Sequence, residues 1–209
     1  MNFHPGISRR RLLCSALAAG SLSLPGPVRA DEPPAAAVLT GHRGPGRIRP
    51  PVPMPSMPVT LDNGTPTDLA SVLKDRVTAL QFVLTGCSSI CPILGTIFAR
   101  VQEEIGKSPD APYQLLSFSL DPLGDSPQAF QGWLAKFNAG TLWHGAIPQT
   151  DQAGVVKLLK GWGLSSGTSS AFHTETVLLV DRQARLVYRF PDLPDPLAVV
   201  DLMQQVAAL

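Results

Sequence analysis

The chain has 209 residues, with 17 basic and 16 acidic side chains and a formal net charge of +1. That length suits one domain with a real core plus flanking segments. A near-neutral balance argues against a nucleic-acid binder, and composition is otherwise ordinary for a globular protein.

The first 30 residues carry four arginines and no acid, and without them the balance falls to about −3. Ser8-Arg9-Arg10-Arg11-Leu12-Leu13 is a charged region with a twin-arginine core, and Leu12 to Leu24 is an apolar run too short to span a bilayer comfortably. Val28-Arg29-Ala30 offers small residues for a signal peptidase, so residues 1–30 read as an export signal cleaved after Ala30. An uncleaved N-terminal anchor is the alternative. Residues 31–58 hold eight prolines and show no apolar period, which predicts a semi-extended, Pro-rich tether. Met54 and Met57 near its end are linker or edge-packing residues, with a transient copper contact as the sharper option.

The domain is predicted over 59–209. Val59 to Leu61 is a short strand followed by the turn Asp62-Asn63-Gly64, and Thr67 caps a short helix through Leu73. Val77 to Leu84 is a nearly continuous apolar run of strand length, as a strand buried on both faces requires. Ile93, Leu94, Ile97, Phe98, Val101 and Ile105 then recur at helical spacing, with Pro92 in the first turn and Gly106 at the end. Tyr113 to Leu120 is a strand. A helix capped by Asp125 or Ser126 runs to about Asn138, and a short strand lies within Thr141 to Ile147. A helix capped by Thr150 or Asp151 reaches Lys160. Glu175 to Val180 is a strand, Arg185 to Tyr188 pairs back on it, and Asp195-Pro196 starts a final helix to about Ala207. This order predicts a three-layer α/β fold around a mixed sheet, parallel in its first half and antiparallel in its second.

If the signal is removed, only Cys87 and Cys91 remain of the three cysteines. They lie where an apolar strand gives way to a helix, the place where open α/β sheets gather reactive groups. A helix start favours a thiolate at Cys91 through unpaired N–H groups and the helix dipole. The four-residue offset brings both side chains to one face. Three readings stand: a structural disulfide, which closes a loop too small to constrain the unfolded chain much; a redox dithiol, at a spacing one residue wider than a thioredoxin pair; and a soft-metal site, two thiolates suiting Cu(I), or Zn(II) with more ligands. A metal needs a further ligand. His42 is in the tether, and His144 beside Trp143 reads as packed or solvent-facing. His173 stands just before a strand, in the loop where a thioredoxin-type topology carries a cis-proline facing the cysteines. No proline occurs between Pro148 and Pro191, so this position favours the metal reading.

Cys87-Ser88-Ser89-Ile90-Cys91-Pro92, then Asp121-Pro122-Leu123-Gly124-Asp125-Ser126-Pro127, then His173 and Leu178-Leu179-Val180-Asp181, occur in the order found in the Sco (SenC) copper proteins, which the chain resembles over about 59–209. The resemblance implies a thioredoxin-like fold with an added N-terminal strand or hairpin. It implies copper, as Cu(I) or Cu(II), held by Cys87, Cys91 and His173, and a role in maturing the CuA centre of cytochrome oxidase. Asp121 and Asp125 read as scaffold, one ending a strand and the other capping a helix. Many family members carry Pro-Asp after the first cysteine and an aromatic-Thr pair before it; this chain has Ser88-Ser89 and Leu84-Thr85-Gly86.

The function implied is a periplasmic metallochaperone passing copper by ligand exchange to a copper-enzyme apoprotein, an oxidase CuA subunit or another such as a nitrous-oxide reductase. Another periplasmic copper chaperone or a thiol reductant is a further partner, and a membrane is reached only through a partner or an uncleaved signal. The alternative is a thiol–disulfide oxidoreductase that reduces the cysteines of a copper-site apoprotein, with Cys87 and Cys91 as its catalytic pair.

Overall fold

The apolar run of the sequence becomes the central strand, β4 (Val77–Val83), buried along its whole length. The computed structural model describes residues 46–164, 174–190 and 192–209. Alternate residues of β4 serve opposite faces of the sheet, as the period of two requires. Val77, Ala79 and Val83 join one apolar cluster, and Leu80 and Phe82 join the other.

Before β4 come β1 (Gly46–Pro53), β2 (Pro58–Leu61), β3 (Pro66–Asp68) and α1 (Leu69–Leu73). After it come α2 (Ile90–Ile105), β5 (Tyr113–Ser119), α3 (Pro127–Ala135), β6 (Trp143–Pro148), α4 (Gln152–Gly161), β7 (Leu178–Val180), β8 (Arg185–Arg189) and α5 (Pro196–Ala207). Among the described residues these strands form one sheet of order β1-β8-β7-β4-β5-β6-β2-β3. The core β4–β5–β6 is parallel, with Val77 opposite Tyr113 and Leu115 opposite Trp143. β7 returns antiparallel on β4, placing Leu178 opposite Leu80.

The helices fill both faces, giving the expected three layers. Leu94, Phe98 and Val101 of α2, Phe130 and Trp133 of α3 and Val199 and Met203 of α5 pack on one face. Leu69 and Leu73 of α1 and Val155 and Leu159 of α4 pack on the other. Each such side chain is worth about 1.5–3 kcal/mol when fully buried, which is why amphipathic periodicity sets the helices. Caps mark their starts. The Asp151 carboxylate accepts the Gly154 N–H at 2.8 Å, and Asp195 accepts from Leu197 and Ala198 at 2.7 and 3.2 Å. The short helix α1 is capped by Asp68, one residue beyond the expected Thr67.

Two N-terminal features differ from the sequence reading. Residues 46–53, read as part of the tether, form edge strand β1, antiparallel to β8 with Arg47 opposite Tyr188. The proline at 51 and others nearby hide the pattern, and an edge strand tolerates them because one side of its backbone needs no partner. Met54 is 5% exposed within the core and Met57 packs against it, so these thioethers are packing groups. β2 and β3 form a hairpin, and β2 pairs antiparallel with β6, so antiparallel pairing occurs on both sides of the parallel core.

Candidate metal and thiol site

The loop Leu84–Ser89 joins the end of β4 to α2. The Cys87 N–H donates to the Leu84 carbonyl at 3.0 Å, folding the loop back on the strand it leaves. Ser89 occupies the N-cap position of α2, yet its hydroxyl makes no cap bond; its oxygen lies 3.4 Å from Cys87 Sγ. Cys91 is the second residue of the helix and is buried, whereas Cys87 is half-buried. No disulfide joins them.

The two sulfurs differ in acidity. Burial is the largest influence on Cys87 and pushes its pKa up. Hydrogen bonds from the Ser89 side chain, the backbone at Cys91 and Ser89, and the Cys91 thiol outweigh it together and bring the group down to about 6. Cys91 goes the other way. Burial pushes it up to about 12, aided by its own bond to Cys87 and the negative charges of Cys87 and Asp125, against one stabilising backbone bond at Leu84. The proton of the pair thus stays on Cys91, which donates toward Cys87. This corrects the sequence expectation that the helix start favours a thiolate at Cys91. A dipole contributes about 0.3–1 kcal/mol, less than the desolvation of a thiolate inside the fold.

Asp125 holds the loop. Its Oδ1 accepts from the Thr85 hydroxyl and, at 3.3 Å, from the Thr85 N–H, and its Oδ2 accepts from the Ser119 hydroxyl at 2.6 Å. Ser119 ends β5, so one carboxylate ties the segment before Cys87 to the neighbouring strand. Asp125 is therefore not a helix cap. Ser126 caps α3, accepting the Ala129 N–H at 3.1 Å. Sequence offers one signal for this role, an acid just ahead of a sufficient Ser cap, but its partners lie 40 and 6 positions away. Asp121 does read correctly as scaffold. Its Oδ1 accepts the Gly124 N–H at 3.0 Å, and its N–H donates to Ser119 at 3.1 Å. A Cβ at Gly124 would sit 2.2 Å from Asp121 Oδ2, so any larger residue there displaces that carboxylate.

His42 and His173 lie outside the described residues. His144 is in β6, its Nδ1 3.9 Å from Asp62 Oδ1, and not beside the cysteines. Among the described residues no three His, Cys, Asp or Glu side chains gather to hold a metal. Cys87 and Cys91 supply two sulfur donors, a set suited to a soft, low-coordinate ion. No helix among the described residues is long and apolar enough to cross a membrane.

No curated protein matches the sequence. Solved structures do. A SCO1/SenC family lipoprotein from Bacillus anthracis str. Ames superposes with a TM-score of 0.65 at 21% identity, covering 76% of this chain and 98% of that one. BsSco, described as a member of the Sco family of cytochrome c oxidase assembly proteins, gives 0.65 at 17% identity over 79% of this chain and 97% of its own. Bradyrhizobium japonicum ScoI with copper bound gives 0.58 at 22% identity over 74% and 99%. At such identities the likeness carries the fold, which is the thioredoxin-like one expected. A SCO1/SenC family profile matches residues 59–208, the span that holds the cysteine loop, the Asp121–Asp125 turn and the returning β7–β8 hairpin, and the chain belongs to that family.

Proposed function

We propose that this protein is an exported copper-binding metallochaperone that passes copper to a copper-enzyme apoprotein, such as the CuA subunit of cytochrome oxidase. The observation that carries the reading is the pairing of Cys87 and Cys91 at the strand-to-helix junction of a SCO1/SenC chain. Two sulfurs, one in the loop and one in the first turn of α2, make a soft, two-sulfur seat for Cu(I). His173 is the proposed third ligand. In support, β7 runs antiparallel to β4, so residues 174–177 approach from the end of β4 that leads into the cysteine loop. Bound copper-protein neighbours, among them the Bradyrhizobium ScoI, add to the reading. The twin-arginine segment supports a periplasmic location, with an uncleaved anchor as the variant form. A client presenting its own thiols takes the copper by stepwise ligand exchange, and the half-buried Cys87 is the sulfur a client reaches first.

The acidity difference favours a second activity of the same pair, reduction of a client disulfide. The Cys87 thiolate attacks one client sulfur, forming a mixed disulfide and releasing the other as thiolate. Cys91 then gives up its proton and attacks Cys87 Sγ, freeing the second client thiol. The chain ends as a Cys87–Cys91 disulfide, and two electrons have passed to the client.

Competition of the reduced protein against a moderate-affinity Cu(I) chelator tests the first reading. One Cu(I) per chain is expected, lost in Cys87→Ser and Cys91→Ser, with His173→Ala weakening Cu(II) binding most. Failure of the reduced wild type to hold Cu(I) refutes it. For the second, Cys91→Ser traps a mixed disulfide while His173→Ala leaves exchange at the wild-type rate; loss of exchange in His173→Ala overturns a purely thiol mechanism.

A further inference from the structure

The end of the sheet opposite the cysteines carries a cavity that the proposed copper chemistry does not use. β7 pairs antiparallel with β4, with Val180 opposite Thr78, so the turn after β7 lies beside the start of β4 while Cys87 follows its end. A strand of that length separates the two by roughly 20 Å. Beside that turn, β1, β8 and the end of α5 enclose a cavity of about 340 Å³.

Four arginines line it, from separate parts of the chain: Arg47 and Arg49 on one face of β1, Arg182 in the turn, and Arg185 at the start of β8. All four are exposed, over a lining that includes the buried Ile48 and Val206. Arg185 is committed: its Nη2 lies 2.8 Å from Asp181 Oδ2, and its Nε donates to the same oxygen at 2.8 Å. Asp181 is saturated by that pair and by the N–H groups of Gln183 and Arg185 at 3.0 and 2.9 Å. Among the described residues no ion pair engages Arg47, Arg49 or Arg182. That leaves three positive charges without an acidic partner among the described residues, around a concave surface.

A single carboxylate accepts one guanidinium fork, whereas a phosphate group offers three or more oxygens to forks arriving from several directions. We propose that this cavity binds a phosphate-bearing ligand, its oxygens held by Arg47, Arg49 and Arg182 and its remainder resting against Val187 and Val206. Free di- or polyphosphates and phospholipid headgroups share this chemistry. The role is independent of copper and of the thiols.

Calorimetric titration of the whole protein with sodium pyrophosphate, alongside co-sedimentation with phosphatidylglycerol or phosphatidylcholine vesicles, separates the two sources. Arg47→Gln/Arg182→Gln is compared with Lys157→Gln/Lys160→Gln, which removes equal charge from exposed positions on α4. The expected result is saturable binding, weakened about tenfold or more in the arginine pair and little changed in the lysine pair. Saturation by pyrophosphate identifies a free phosphate; binding confined to phosphatidylglycerol vesicles identifies a headgroup. Pyrophosphate is also expected to raise the wild-type melting temperature and not that of the arginine pair. The proposal is overturned if wild type binds neither probe, or if the two double variants lose binding equally, the mark of unspecific charge attraction.

Discussion

Replacing Asp125 by alanine tests whether the cysteine loop is held from β5. The carboxylate accepts from the Thr85 hydroxyl and N–H and from the Ser119 hydroxyl. A hydrogen bond to a charged group contributes about 1.5–3 kcal/mol when protected, and losing one partner of a buried bond costs more than the bond's net worth. Ser119 is fully buried, so its bond keeps a value near ~2 kcal/mol. Thr85 is half-buried and water replaces much of what it loses, leaving about 0.5 kcal/mol for its two bonds. The expected destabilisation is therefore about 2–3 kcal/mol, or a fall of roughly 5–10 °C in Tm for a domain of this size. Urea unfolding followed by tryptophan fluorescence measures it. The informative control is Ser126→Ala, which removes the true cap of α3 at a cost of about 1 kcal/mol without touching the loop. Iodoacetamide reactivity of Cys87 against pH separates the two. In Asp125→Ala the loosened loop lets the Cys87 pKa rise from about 6 toward its ordinary value, while Ser126→Ala keeps the wild-type profile. An Asp125→Ala protein with a wild-type urea midpoint, or with a wild-type alkylation profile despite destabilisation, refutes the reasoning.

Alkylation of the reduced wild type should rise with pH through a midpoint near 6 and label Cys87, with Cys91 unlabelled until well into the alkaline range, as peptide mapping will read. The linked stability follows in sign. Cys87 ionises more readily folded than unfolded, so its contribution is full above the ordinary thiol value near 9 and is lost as pH falls through about 6. Cys91 ionises less readily when folded, so its contribution is full below about 9 and is lost as pH rises toward 12. A wild-type urea midpoint that does not fall between pH 9 and pH 6 relative to Cys87→Ser would contradict this. Gly95→Ala places a Cβ 2.3 Å from Phe137 Cζ, whose ring packs on Trp133 with centroids 4.9 Å apart. Overpacking of about 1–3 kcal/mol outweighs the roughly 1 kcal/mol that alanine adds to a helix, so a net loss near 1 kcal/mol is expected by urea unfolding. Phe137→Leu should relieve it, and additive losses in the double variant would count against the clash.

Much of the fold was legible because its signals are local. The apolar run at 77–83, of strand length and rich in strand-forming residues, fits a strand covered on both faces, and the periodicity from Ile93 to Ile105 fits a helix with one buried side. Asp151 and Asp195 announce helix starts through bonds made within three residues. The cysteine pair and the Asp121–Asp125 turn were visible as types at spacings. The strand at 46–53 was hidden, because proline disguises an edge strand whose partner, β8, lies over 130 positions away.

The sequence by itself determined that the two thiols of the domain, Cys87 and Cys91, share one short stretch where a strand gives way to a helix. Only the tertiary structure decided which of them carries the charge. Acidity follows desolvation and hydrogen bonds, and these depend on how deeply α2 sinks against the sheet. Burial leaves the proton on Cys91 and the Ser89 and Cys91 bonds remove it from Cys87. The same holds for Asp125, which a local pattern reads as a cap and which folding turns toward Thr85 and Ser119, because a side chain's partners are chosen by the chain that arrives beside it.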